Sequence, residues 1–236
     1  MSPLQEEAQT SSGLFSYTYL KHAFSWKQIY HGLLDLVFPP GCLRCGRVDT
    51  SWCDACLDEL GQLPISQIGG DLDAITGTVG TGWHTDLLQH AVQALKYNNV
   101  RLLALPLASR INHVISQQPW TIDMIIPVPL HSTRLQNRGY NQAKLIAEAL
   151  SAQTGIPTVD ALHRERNTPS QVGLNRNERL ANVEGAFVAT VPSNTKSALL
   201  IDDVRTTGAT LVACATALKN AGIPSVYAAT ITVAEY

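Results

Sequence analysis

Asp202 and Asp203 follow the apolar run Ala198-Leu-Leu-Ile201 and stand directly ahead of Val204-Arg205-Thr206-Thr207-Gly208-Ala209-Thr210. The apolar run reads as a short strand, central in a parallel sheet, that ends where the acids begin. Beyond the loop, Leu211, Cys214, Ala215 and Leu218 recur at helical spacing. An acid pair and a small-residue turn between strand and helix sit where ligands meet parallel sheets, at the carboxyl ends of the strands. The chemistry that suits this order is phosphate and sugar binding. Unsatisfied amides and the dipole at the start of a helix welcome an anion. Gly208 allows close backbone approach, while Thr206, Thr207 and Thr210 offer hydroxyls. Two carboxylates can accept from a vicinal diol and help hold hydrated Mg²⁺. The plainer reading is a structural strand–loop–helix.

A second group is Arg134 and Arg138, downstream of Met124-Ile-Ile-Pro-Val-Pro-Leu130, which reads as a strand entering a stiff loop through Pro127 and Pro129. Planar guanidinium forks match phosphoryl oxygens and keep their charge, so this loop suits a pyrophosphate. The competing reading is two solvated surface arginines. A third group is Cys42-Leu-Arg-Cys45 and, seven residues on, Cys53-Asp-Ala-Cys56. Two such pairs make a tetrahedral thiolate site for structural Zn²⁺, with a disulfide framework or a redox pair as alternatives. The separation suits a compact knuckle. Cys214, on the apolar face of its helix, reads as a core residue and not a nucleophile.

Several elements must position these groups. The 236 residues suffice for one good-sized domain and an appendage. With 45% apolar and 15% charged residues and a net charge of −2, constitutive, sequence-independent duplex binding is not expected. No window reaches the roughly 18 apolar residues of a membrane span, and no secretory signal is visible, which makes the cytoplasm the expected address. Residues 1–25 read as a flexible tail, and residues 26–62 as a helix followed by the knuckle. Strands are expected around Ala74–Gly80, Ala186–Thr190 and Ser225–Val233. Helices are expected from Thr85 to Lys96, from Arg101 to about Ile115, and from Asn141 to Gly155. The polar stretch 163–182, with Arg164, Arg166, Arg176 and Arg179, reads as a lid or binding segment, or as a solvated loop.

Leu199 to Thr210 resembles the phosphoribosyl pyrophosphate (PRPP) motif of type I phosphoribosyltransferases. Other pieces occur with it in one order. They are Leu33-Leu-Asp-Leu-Val-Phe-Pro-Pro-Gly-Cys42, the four cysteines, Leu95-Lys-Tyr97, Pro127-Val-Pro-Leu130 with Arg138-Gly-Tyr-Asn-Gln142, Thr168-Pro-Ser-Gln171, Arg179 with Asn182, and Gly185-Ala-Phe187. Together they resemble the ComF/GntX family over roughly residues 30 to 234. The resemblance implies an α/β type I phosphoribosyltransferase fold over 70–236, a parallel sheet flanked by helices, bearing a small N-terminal four-cysteine zinc module. It implies Mg²⁺·PRPP bound by Asp202 to Thr210 with Pro129, Arg134 and Arg138, catalysis at Asp202 and Asp203, and zinc on Cys42, Cys45, Cys53 and Cys56. It also implies a link to natural competence and DNA uptake. Two readings stay open: transfer of phosphoribosyl from Mg²⁺·PRPP to an unidentified acceptor, or a non-catalytic PRPP or nucleotide sensor in a module that binds single-stranded DNA or helicase-type competence proteins. Hypoxanthine-type enzymes carry an acid where this chain has Thr206, so ordinary purine salvage is not expected.

Overall fold

The computed structural model describes residues 41–48, 50–165 and 185–234. The expected tail, the helix ahead of the cysteines, and most of the polar stretch, including Arg166, Thr168, Gln171, Arg176, Arg179 and Asn182, lie outside these.

Helix α1 (Asp54–Gln62) leads from the cysteines to strand β1 (Gly77–Gly80). Then come α2 (Asp86–Tyr97), a single 3₁₀ turn, and α3 (Ala104–Ile115). Strand β2 (Met124–Pro127) is followed by a short α4 (Ser132–Arg138) and by α5 (Gln142–Thr154). Strands β3 (Leu162–Arg164) and β4 (Phe187–Ala189) precede β5 (Ser197–Arg205), α6 (Ala209–Asn220) and β6 (Ser225–Val233). The main sheet has the order β1-β6-β5-β2 and every pair in it is parallel, whereas β3 and β4 pair antiparallel beside it. This α/β arrangement, with a four-stranded parallel sheet flanked by helices, is consistent with the type I phosphoribosyltransferase fold.

Two apolar layers follow from the period-2 alternation of strand side chains. Leu199 and Ile201 of β5, with Ala229 and Ile231 of β6, pack under Leu87, Leu88, Leu95, Leu107 and Ile146. Ala198 and Leu200, with Val226 and Ala228, pack on the other side against Leu211, Cys214 and Leu218 of α6. Cys214 is fully buried there, as expected of a core residue. Cys42, Trp52, Cys53, Cys56 and Leu60 belong to the first layer, so the cysteine segment shares its core with α2 and α3.

Two boundaries differ from the sequence reading. Strand β5 does not stop at Ile201 but runs on through Arg205, because its partner β6 continues alongside to Val233. The arginine loop after β2 is in part helical: His131 caps α4 by accepting from the Thr133 amide at 3.2 Å, and Gly139 ends it at φ 79°. Arg134 and Arg138 therefore sit one turn apart on one helical face.

Candidate functional site

Alternation along β5 decides where the acids point. Asp203 shares the face of Ile201 and looks toward α2, while Asp202 shares the face of Leu200 and looks toward α6. The two carboxylates are adjacent in sequence but serve opposite sides of the strand end. Asp203 is 4% exposed. Its Oδ1 takes the Lys96 ammonium of α2 at 2.7 Å, and its buried Oδ2 has no hydrogen-bond partner among the described residues. Asp202 is half-buried, and its Oδ1 accepts the Asp203 amide at 2.9 Å.

A cavity of about 810 Å³ opens at this strand end. Its walls include Asp202, Asp203, Val204 and Arg205 from β5, Thr206 to Thr210 from the turn, and Pro129, Arg134 and Arg138 from the segment after β2. All twelve residues assigned to the ligand from sequence thus line one space. They do not all present their functional groups to it. Arg205 sends its guanidinium to Thr78 Oγ1 at 2.6 Å and to the carbonyls of Gly69 and Ile68 at 2.6 and 3.2 Å, anchoring the segment ahead of β1. Gly208 begins α6 at φ 78°, and a Cβ there would fall 2.6 Å from Leu72. Its missing side chain therefore makes room for that anchored segment as well as for the turn.

The wall formed by α4 is organised locally. Asn141 caps α5 by accepting the Ala143 amide at 3.0 Å, and its Nδ2 donates to the Val128 carbonyl at 2.9 Å, tying the start of the loop to its end. Arg138 donates to Gln142 and lies 5.0 Å from the ring centre of Tyr97. Arg164, at the end of β3, lies 5.3 Å from the ring centre of Phe187 and also lines the cavity. Read from sequence as part of a lid or binding segment, or of a solvated loop, Arg164 lies in the wall facing Asp202.

Burial drives the Asp202 carboxyl up, the neighbouring Asp203 charge adds to this, and Lys96 and Arg164 only partly offset them, so the group sits at about 7. The folded carboxyl is thus raised above its ordinary 3.8. Ionising it in the folded protein costs stability, and that cost grows from about pH 4 to about pH 7 and is constant above. Asp202→Asn should therefore melt higher than the parent at about pH 8, with a smaller gain at about pH 5. Thermal melts across that range check the sign.

The sulfurs of Cys42, Cys45, Cys53 and Cys56 all lie within 4.8 Å of one another. Thiolates about 2.3 Å from a tetrahedral zinc are roughly 3.8 Å apart, and the Cys45–Cys53 sulfur separation is 3.6 Å. Gly46 at φ 77° closes the first turn, with its amide on the Cys42 carbonyl at 2.8 Å. Burial would raise the Cys42 thiol, but hydrogen bonds with Cys45, Cys53 and Arg44 outweigh it and bring the group to about 6. Burial and the neighbouring sulfurs push Cys56 the other way. The four cysteines could hold a zinc ion.

No family model matches the chain. It is 37% identical over 108 residues to competence protein F of Haemophilus influenzae, covering 44% of this chain and 47% of that protein. It is 35% identical over 101 residues to competence protein ComFC of Streptococcus pneumoniae, covering 43% and 44%. Over slightly under half of its length the chain is similar to these competence proteins. It is also 33% identical over 105 residues to DNA utilization protein YhgH of Escherichia coli K12, covering 44% and 46%. The alignments span slightly under half the length of these relatives.

Among the pieces that resemble the ComF family, Leu95-Lys-Tyr97 carries no role in the sequence reading beyond closing the helix expected from Thr85 to Lys96. The structure supplies one. Lys96 extends the buried row Leu88–Val92 by one further turn, which carries its ammonium under β5 to Asp203. A lysine continuing an apolar i, i+4 row was the available signal. His84, which lines the cavity beside Lys96, was also missed; its Nδ1 lies 2.8 Å from Thr232 Oγ1. Nothing in the spacing of the chain pairs position 84 with a residue on the last strand.

Proposed function

We propose that this chain binds Mg²⁺·PRPP in the cavity at the end of β5 and transfers its phosphoribosyl group to an acceptor still to be identified, in the context of DNA uptake. The observation that carries the reading is the buried Oδ2 of Asp203, without a partner among the described residues, in a wall shared with the threonine turn and two arginines. A buried carboxylate oxygen without a donor costs stability, and a ligand hydroxyl or a hydrated cation would satisfy it. The competence and DNA-utilization names of the relatives support the context.

In this reading the amides opening α6 and the hydroxyls of Thr206, Thr207 and Thr210 take the sugar's phosphate, while Asp202 and Asp203 accept from the ribose hydroxyls. Arg134 and Arg138, behind Pro129, lie along the pyrophosphate. Bound Mg²⁺ would supply charge neutralisation of that leaving group, and the acid pair fits its hydrated shell. The C1′–O bond breaks and its electron pair departs with pyrophosphate. The two carboxylates stabilise the positive charge left at C1′. The acceptor's lone pair then forms the new bond to C1′, and its proton passes to solvent. Cys42, Cys45, Cys53 and Cys56 would hold a structural zinc through sulfur alone, which would serve folding of an N-terminal module over 26–62, ahead of a transferase domain over 70–236.

The competence names equally favour a second reading, in which the same cavity senses PRPP without turnover in a cytoplasmic module that binds single-stranded DNA or helicase-type competence proteins. Incubation with Mg²⁺, PRPP and a panel of bases, nucleotides and single strands separates the two. Pyrophosphate release that depends on one of these acceptors supports the transferase. PRPP binding without release, together with salt-sensitive single-strand binding, supports the sensor. No helix among the described residues is long and apolar enough to cross a membrane.

A further inference from the structure

We propose that Lys96 is a positioning residue for the cavity: by holding Asp203 through Oδ1, it fixes the direction in which Oδ2 meets an incoming ribose hydroxyl or hydrated cation. The inference rests on the PRPP reading and adds a residue from outside the strand–turn–helix unit.

Three observations carry it. The ion pair is short, at 2.7 Å, and its side chains are 19% and 5% exposed, so it is shielded from water. Oδ2 of the same carboxylate is buried and has no partner among the described residues. Both residues line the cavity. A carboxyl group turns about one bond, so anchoring one oxygen sets the place of the other. The anchor itself is stiff. Lys96 stands in the last turn of α2, whose residues Ala94 and Leu95 are buried. Tyr140 fixes the same turn by donating its hydroxyl to the Leu95 carbonyl. The other charged or titratable groups grouped around the pair are Asp202 on β5, Tyr97 on α2, His84 ahead of α2, and Arg164 on β3. Burial works to lower the Lys96 ammonium, but Asp203 and then Asp202 outweigh it and hold it above its ordinary value, so the anchor stays charged. A preformed pair leaves a ligand no reorganisation to drive at this oxygen.

The test measures Mg²⁺·PRPP and inorganic phosphate binding by calorimetry on the full chain and on Lys96→Met and Lys96→Arg. The expected result is at least a tenfold loss of PRPP affinity in Lys96→Met, recovered in large part by Lys96→Arg. Inorganic phosphate, which needs only the amides and hydroxyls of the turn, should bind all three alike. Should Lys96→Met fail to fold, Lys96→Gln keeps a donor without the charge and carries the same expectations. PRPP affinity within twofold of the parent overturns the proposal, and so does an equal loss of PRPP and phosphate, which would mark a general structural defect. Should the parent itself bind no PRPP, the function reading falls alone provided the Lys96 ammonium signal in NMR spectra of the unliganded protein is protected and moves in Asp203→Asn. An unprotected signal overturns both.

Discussion

Cys56→Ser should abolish folding, with no separate effect on chemistry. Cys56 is 4% exposed, and Cys42, Cys53, Trp52 and Leu60 share its cluster with Leu95 and Leu107 under the sheet. Losing one of four sulfurs leaves a site whose apparent zinc binding energy, about 10–16 kcal/mol for a complete set, is also folding energy. That sum is comparable to the whole stability of an ordinary domain, about 5–15 kcal/mol. The variant should carry no zinc and show no cooperative melt by circular dichroism, whereas the parent should carry one zinc per chain. A parent that keeps its melting temperature after chelator treatment would show that the apolar contacts alone hold this corner together.

Asp203→Asn should lower PRPP affinity by about 100-fold, equivalent to about 2.7 kcal/mol. The variant amide has one acceptor and one donor side. If its oxygen turns to Lys96, its NH₂ faces the ligand, where it repels a cation and can only donate to a hydroxyl that had donated to the carboxylate. If its NH₂ turns to Lys96, the ammonium loses its acceptor in a buried place. Either way a charge-assisted contact is exchanged for a mismatch, which costs more than a neutral hydrogen bond. Calorimetry with Mg²⁺ present reads the loss, and an unchanged affinity would remove Asp203 from the site.

Much of this was legible in the chain because it is encoded locally. The run Ala198–Ile201, the turn Thr206–Thr210 and the helix stripe after it lie within a few residues of one another. Backbone rules relate such neighbours directly, and the structure sets them as strand, turn and helix. The four cysteines were legible for the same reason. What was not legible depends on partners distant in sequence. Strand β5 outruns its apolar residues because β6 pairs with it to the end, so the acids lie within the strand and face opposite ways. Arg205 looks like a ligand residue by position, yet Gly69 and Ile68 claim its guanidinium from more than a hundred residues away. Gly208 suits a phosphate turn, but its empty side faces Leu72. Lys96 reads only as the end of a helix until α2 is laid under β5.

The claim at the centre is that one ligand spans the threonine turn, the acid pair and the α4 arginines. A titration of the full chain with PRPP and Mg²⁺, followed residue by residue through backbone amide NMR signals, tests it most directly. The expected result is saturable shifts at Thr206 to Thr210, at Asp202 and Asp203, and around Arg134 and Arg138, all following one binding curve. No shifts at saturating PRPP, or shifts confined to residues away from this cavity, would contradict the account.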